Sequence, residues 1–141
     1  MTPSAPPRLP VKLIACAAVM VLTGCGGKTV PVNGRVKFTD GSDATALAGY
    51  EVSFEAEAQK ISGAGTIQPD GSFKISTYTG DDGAVPGRHR VAVTPPSSPD
   101  PDKPPPRPVI PKKYFDFPTS DLTVEIQPGK GDVTLELERA P

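Results

Sequence analysis

From Val30 onward the chain alternates. Val30, Val32, Gly34, Val36 and Phe38 stand at even positions, with Thr29, Pro31, Asn33, Arg35 and Lys37 between them. A period of two predicts a strand with one dry face and one wet face, because successive side chains of an extended chain point to opposite sides. Tyr50, Val52, Phe54 and Ala56 repeat the pattern against Glu51, Ser53, Glu55 and Glu57, which gives a second strand an acidic outer face. Residues 63–68 read as a third strand, and Asp70-Gly71 turns it back into residues 73–77 as a tight hairpin whose glycine tolerates positive φ. A loop carrying Asp81-Asp82-Gly83 and Pro86-Gly87 leads to a fifth strand over residues 88–94, with His89, Val91 and Val93 on one face. Leu122, Val124 and Ile126, then Val133, Leu135 and Leu137, mark two more strands, and Pro128-Gly129-Lys130-Gly131 between them predicts a terminal hairpin. Seven strands, regularly spaced turns and no window of helical periodicity predict an all-β fold, a seven-stranded antiparallel sandwich over residues 30–138.

One stretch interrupts the alternation. Nine of the seventeen residues from 95 to 111 are proline, which lacks the amide donor of a central strand and fixes φ. The run reads as an extended, solvated, semi-rigid excursion between the fifth and sixth strands. Pro101-Asp102-Lys103-Pro104 has PxxP spacing, so the alternatives are a ligand for a proline-recognising groove and a plain spacer.

The N-terminus follows different rules. Arg8 and Lys12 form a basic region, residues 13–22 form a short apolar core, and small residues precede Cys25. The apolar run is about half the roughly 20 residues that a membrane span requires, so it reads as a secretory signal that is removed. Leu22-Thr23-Gly24-Cys25 resembles the lipobox of bacterial lipoproteins, in which the cysteine thiol takes a diacylglyceryl group and cleavage falls between Gly24 and Cys25. The expected division is a signal peptide at 1–24, a lipidated anchor and tether at 25–29 and the sandwich beyond. Lipid attachment at Cys25 implies an extracytoplasmic protein held to a bacterial membrane. Gly26, in place of aspartate, resembles the sorting pattern for an outer membrane, facing the periplasm or the cell surface. The competing reading is an ordinary secretory signal that leaves Cys25 a free thiol.

Cleavage would leave one domain of ordinary size with a modest core. Cys16 departs with the signal and lipid consumes Cys25, so no disulfide staples the domain, and packing must stabilise it. Losing Arg8 and Lys12 lowers Lys plus Arg from 15 to 13 against 16 acidic residues, a formal net charge of −3. Neither nucleic acid nor an anionic surface is an expected partner, because both need a basic stripe and the charges here are interspersed.

The strand motifs resemble a carboxypeptidase regulatory-like domain, a transthyretin-like or immunoglobulin-like sandwich, in the setting of a small bacterial lipoprotein. The likeness rests on Val32-Asn33-Gly34-Arg35-Val36, Gly49-Tyr50-Glu51-Val52-Ser53-Phe54, Pro69-Asp70-Gly71-Ser72-Phe73 and residues 84–91, and spans about 30–94. Residues 110–124 resemble the closing segment of such lipoproteins. These are packing and turn motifs, so the resemblance implies a structural or accessory module and no peptidase activity. Where such domains place an aromatic after Pro-Gly at the fifth strand, this chain has His89.

Residues with possible chemistry are few. His89 is the only histidine, so a multi-ligand zinc site and a His-dependent triad lack their parts; its parity with Val91 makes it a cover for the end of the core. Asp81 and Asp82 read as solvated turn residues, with calcium the alternative, since the loop lacks repeated oxygen-ligand spacing. Glu51, Glu55, Glu125 and Glu136 fall on outward positions and read as solubilising faces. Asn33, the one asparagine, shares a strand with Lys37, which disfavours an internal isopeptide bond between them. Tyr114, Phe115 and Phe117 form the one aromatic cluster outside a strand: a plug for one end of the sandwich, or a ligand contact. No metal or cofactor is expected. The composite expectation is a non-enzymatic, lipid-anchored envelope protein acting as a structural or protein-interaction module; the alternative is a binding module for envelope polysaccharide or peptide.

Overall fold

A computed structural model describes residues 28–141 together with Pro3. The expected signal segment, the Gly24–Cys25 cleavage site and the lipid anchor at Cys25 lie outside the described residues. The described residues form seven strands: β1 (Asn33–Phe38), β2 (Glu51–Ala56), β3 (Ser62–Thr66), β4 (Ser72–Lys74), β5 (Gly87–Thr94), β6 (Thr123–Ile126) and β7 (Asp132–Leu137). Single-turn 3-10 helices at Ala44–Leu47 and Lys112–Phe115 join them, too short to have left a 3.6-residue period in the sequence. The Asp43 side chain caps the first by accepting from the Thr45 amide at 2.9 Å.

The strands divide into a three-stranded sheet ordered β4-β1-β7 and a four-stranded sheet ordered β3-β2-β5-β6. Alternation orients them as expected: Val36 and Phe38 from β1, Val52 and Phe54 from β2, Val91 and Val93 from β5 and Leu135 and Leu137 from β7 are all buried. Phe54 meets Phe73 edge-on across the core, ring centroids 6.1 Å apart at 75°.

Two expectations about pairing need correction. The sandwich is not wholly antiparallel, because β7 runs parallel to β1 from Asn33–Asp132 to Phe38–Leu137. Nor do the last two strands form a hairpin ladder. Gln127 and Lys130 make a single bridge, after which β6 pairs with β5 and β7 crosses to β1 in the opposite sheet. A short turn suffices for that crossing, since stacked sheets lie only about 10 Å apart.

The β3–β4 hairpin divides in the same way. Its tight turn is present, the Gly71 amide donating to Gln68 O at 2.9 Å and the Gln68 amide to Ser72 O at 2.8 Å. Ala64 and Ser76 exchange a pair of backbone hydrogen bonds at 3.0 and 2.9 Å. Between these points the strands part into different sheets, and Gly65 sits where a Cβ would lie 1.8 Å from Lys74 O. The two tight turns, β3–β4 and β6–β7, therefore each carry the chain from one sheet to the other.

The proline segment is exposed through residues 101–107. Its final residues are not solvated: Ile110 is fully buried, the Val109 amide donates to the Tyr50 hydroxyl at 3.1 Å, and Ala140 N donates to Val109 O at 2.8 Å. The excursion thus ends near Pro108, where apolar residues return the chain to the core.

Candidate functional site

The outward residues of β1 are Asn33, Arg35 and Lys37, and the pairing registers set a partner on each side of them. Lys74, Asn33 and Asp132 form one transverse row, Ser72, Arg35 and Thr134 the next, and Lys37 stands beside Glu136. Above this face the departing β3 raises a wall, with Ala64, Gly65 and Thr66 on the rim. The result is an open groove of about 910 Å³ over the outer surface of the three-stranded sheet. A second concavity of about 420 Å³ adjoins it along β1, sharing Arg35 and Lys37.

Charges around the groove are engaged unequally. Asp70 accepts from the Ser72 hydroxyl at 2.6 Å and the Ser72 amide at 3.0 Å, which hold its carboxyl below the usual range, with a smaller contribution from Arg35. Asp43 is likewise lowered, by its hydrogen bonding to Thr45. Neither the cations Arg35, Lys37 and Lys74 nor the carboxylates of Asp43, Asp70, Asp81, Asp132 and Glu136 form an ion pair among the described residues.

Ser76 and Asp81 line the groove and bracket a loop that carries Tyr78, which is 59% exposed and lies outside the groove's lining. Asp82 organises that loop, its carboxylate accepting from the amides of Thr77 at 2.7 Å, Tyr78 at 3.1 Å and Thr79 at 3.2 Å. These donors, Thr77 first, hold the Asp82 carboxyl below its ordinary value. Gly83 follows with φ +94°, and a Cβ there would lie 1.8 Å from Val30 O, so only glycine lets the loop close against the start of the sandwich.

The residues singled out in the sequence lie elsewhere. His89 is 1% exposed, tilted against Phe54 with centroids 5.8 Å apart, and its Nε2 is 2.7 Å from Val85 O. Its Nδ1 is buried without a hydrogen-bond partner among the described residues. It is core, as its parity implied, and among the described residues no acid or nucleophile is hydrogen-bonded to it. Tyr114 is 2% exposed, its hydroxyl accepting from the Glu138 amide at 3.3 Å, while Phe115 and Phe117 are half-buried. Lys113 sits 4.8 Å from the Tyr114 ring centroid and pairs with Glu138 at 3.0 Å, the contact that chiefly raises its pKa. The Tyr114 ring is thus a plug of the sandwich and offers no face to a ligand. Among the described residues no group of three or more His, Cys, Asp or Glu is placed to hold a metal ion, and no helix is long and apolar enough to cross a membrane.

Sequence reasoning missed the groove. Asn33, Arg35 and Lys37 were legible as a wet face, but nothing in the order of residues says that Lys74 and Asp132 flank them. Tyr78 left a readable signal, being a lone aromatic within a Ser, Thr, Gly and Asp loop. Comparison with protein-family models, with curated proteins and with solved structures found no match to this chain.

Proposed function

We propose that this chain is a non-enzymatic lipoprotein of the bacterial cell envelope, its β-sandwich a structural or protein-interaction module of the carboxypeptidase regulatory-like, transthyretin-like kind. The observation that carries the reading is Leu22-Thr23-Gly24-Cys25, set after Arg8, Lys12 and a short apolar core. Lipid on Cys25 would hold the domain to the extracytoplasmic side of a membrane, with Gly26 favouring the outer one. Each buried methylene contributes about 0.8 kcal/mol, so two or three acyl chains make release very slow. Confinement to a surface raises the effective concentration of the domain toward envelope partners, which is how a module without chemistry of its own acts.

Replacing Cys25 with alanine in the full chain is expected to move the protein from the membrane fraction to the soluble fraction of the cell. Membrane retention equal to that of the parent chain would overturn the anchor. A second reading, a binding module for envelope polysaccharide or peptide, is favoured by the polar groove over β4, β1 and β7, which Asn33, Arg35, Lys74, Ser72 and Thr134 line.

A further inference from the structure

We propose that the run Pro104-Pro105-Pro106-Arg107-Pro108 is a docking ligand for a partner protein whose groove is lined by aromatic side chains and flanked by a carboxylate. This rests on the reading of the chain as a protein-interaction module and gives that module its contact surface. Eight of the fourteen residues from 95 to 108 are proline, and residues 101–107 are all exposed. The segment spans no distance that would require it. Thr94, where it leaves β5, pairs with Glu51, and Val109, where it returns, donates to the Tyr50 hydroxyl. Its ends are thus tied to two consecutive residues, whereas fourteen residues of polyproline chain reach roughly 40 Å. Loops this long without helix or strand are uncommon in compact domains, and those whose ends lie close together are frequently functional.

Local chemistry sets the shape of the run. Proline fixes φ, and Lys103, Pro104, Pro105 and Arg107 each precede a proline, which keeps them extended. Residues 104–108 are neither helix nor strand, as a polyproline stretch requires. Both flanks are pinned. On one side Asp100 closes a turn, its carbonyl accepting the Lys103 amide at 3.2 Å and its carboxylate pairing with the Lys103 ammonium at 3.7 Å. On the other, Ala140 N donates to Val109 O at 2.8 Å and Ile110 is fully buried. A segment held extended before its partner arrives loses little entropy on binding.

What the run presents selects the partner. Its four prolines have no N–H, and the carbonyls of residues 104–108 accept no backbone hydrogen bond among the described residues, so it offers apolar rings and acceptors. An aromatic-lined groove answers both, packing against the rings while tyrosine hydroxyls or tryptophan N–H groups donate to the carbonyls. Arg107 forms no ion pair among the described residues. With three residues per turn it stands on a different edge from Pro105 and Pro108. A groove that takes that proline edge meets the guanidinium at its flank, where a carboxylate matches it in bidentate fashion. A second copy of this chain does not offer such a groove, since among the described residues Tyr78 is the only exposed large apolar side chain.

The test titrates the full chain, in detergent micelles, with a panel of isolated SH3, WW and EVH1 domains, whose aromatic grooves supply that chemistry. At least one domain is expected to bind saturably. Combining Pro105→Gly and Pro106→Gly, which frees the backbone and removes two rings, should weaken that binding by about tenfold or more. Arg107→Gln should weaken it about threefold at low salt and less as salt is raised. Pro96→Ala with Pro99→Ala, outside the run, should leave the affinity unchanged, and all three variants should keep the parent's circular dichroism spectrum. No saturable binding by any domain, or parental affinity in the double glycine variant, would overturn the proposal. An equal loss in the Pro96→Ala, Pro99→Ala variant would also sink it, reducing the contact to proline content. Self-association of the chain that the double glycine variant abolishes would instead assign the run to a second copy, against the proposal. Membrane retention of the Cys25→Ala variant is read independently, so failure here leaves the anchor standing.

Discussion

A single carboxylate holds the loop between β4 and β5 in shape. Asp82 gathers three consecutive amides, and that hydrogen bonding depresses its pKa below the ordinary value of 3.8. Asp40, Asp43 and Asp70 are depressed in the same direction, Asp40 and Asp70 chiefly by the serine two residues on and Asp43 by Thr45. A group whose pKa is lower in the folded state than in the unfolded state stabilises the fold above its unfolded pKa. That stability is lost as pH falls through the folded value. The urea midpoint is therefore expected to stay level from about pH 7 to pH 5 and to fall below about pH 4. Asp82→Asn should lower the midpoint at neutral pH and flatten the acid decline; an acid slope equal to the parent's would remove Asp82 from the account. At this scale the sequence showed that Asp81-Asp82-Gly83 turns the chain. It did not show which carboxylate takes the amides, because that depends on where Thr77 and Tyr78 return in space.

Strands were legible because alternation is a local property. The stretches expected from period two overlap all seven strands, with boundaries that moved by one to three residues where turns or bridges take over, as at Val30 and Ser76. Partners were less legible. Asp70-Gly71 and Pro128-Gly129 do turn the chain, but each turn hands its second strand to the other sheet. The proline segment shows the same limit from the other side. Composition marked residues 95–111 as solvated, whereas Val109 and Ile110 bind its end to Tyr50 and the core. Ile110→Ala is accordingly expected to cost about 2–5 kcal/mol, the range for truncating a buried Ile or Leu. Pro105→Ala, in the exposed part, should cost less than about 1 kcal/mol, mostly through the unfolded chain. Thermal melts of the two variants separate these outcomes, and equal losses would mean that the segment is packed along its whole length.

For the whole molecule, closure depends on the parallel contact between the first strand and the last. β7 buries Val133, Leu135 and Leu137 against β1 and the core. Burial of three such side chains contributes roughly 5–9 kcal/mol, comparable with the roughly 5–15 kcal/mol total stability of an ordinary domain. A chain ending at Lys130 is thus expected to lose its cooperative melting transition; a sharp melt near the parent temperature would show that β7 is an accessory. The exposed face of the same sheet carries the groove, so the contact that completes the core also sets Asp132 and Thr134 beside Asn33 and Arg35. The sequence by itself determined which side of each strand is dry, because burying every second side chain requires nothing beyond local spacing. Only the tertiary structure decided which strands are neighbours, since parallel and antiparallel partners accept the same alternation. With the neighbours came the rows of side chains that line the groove.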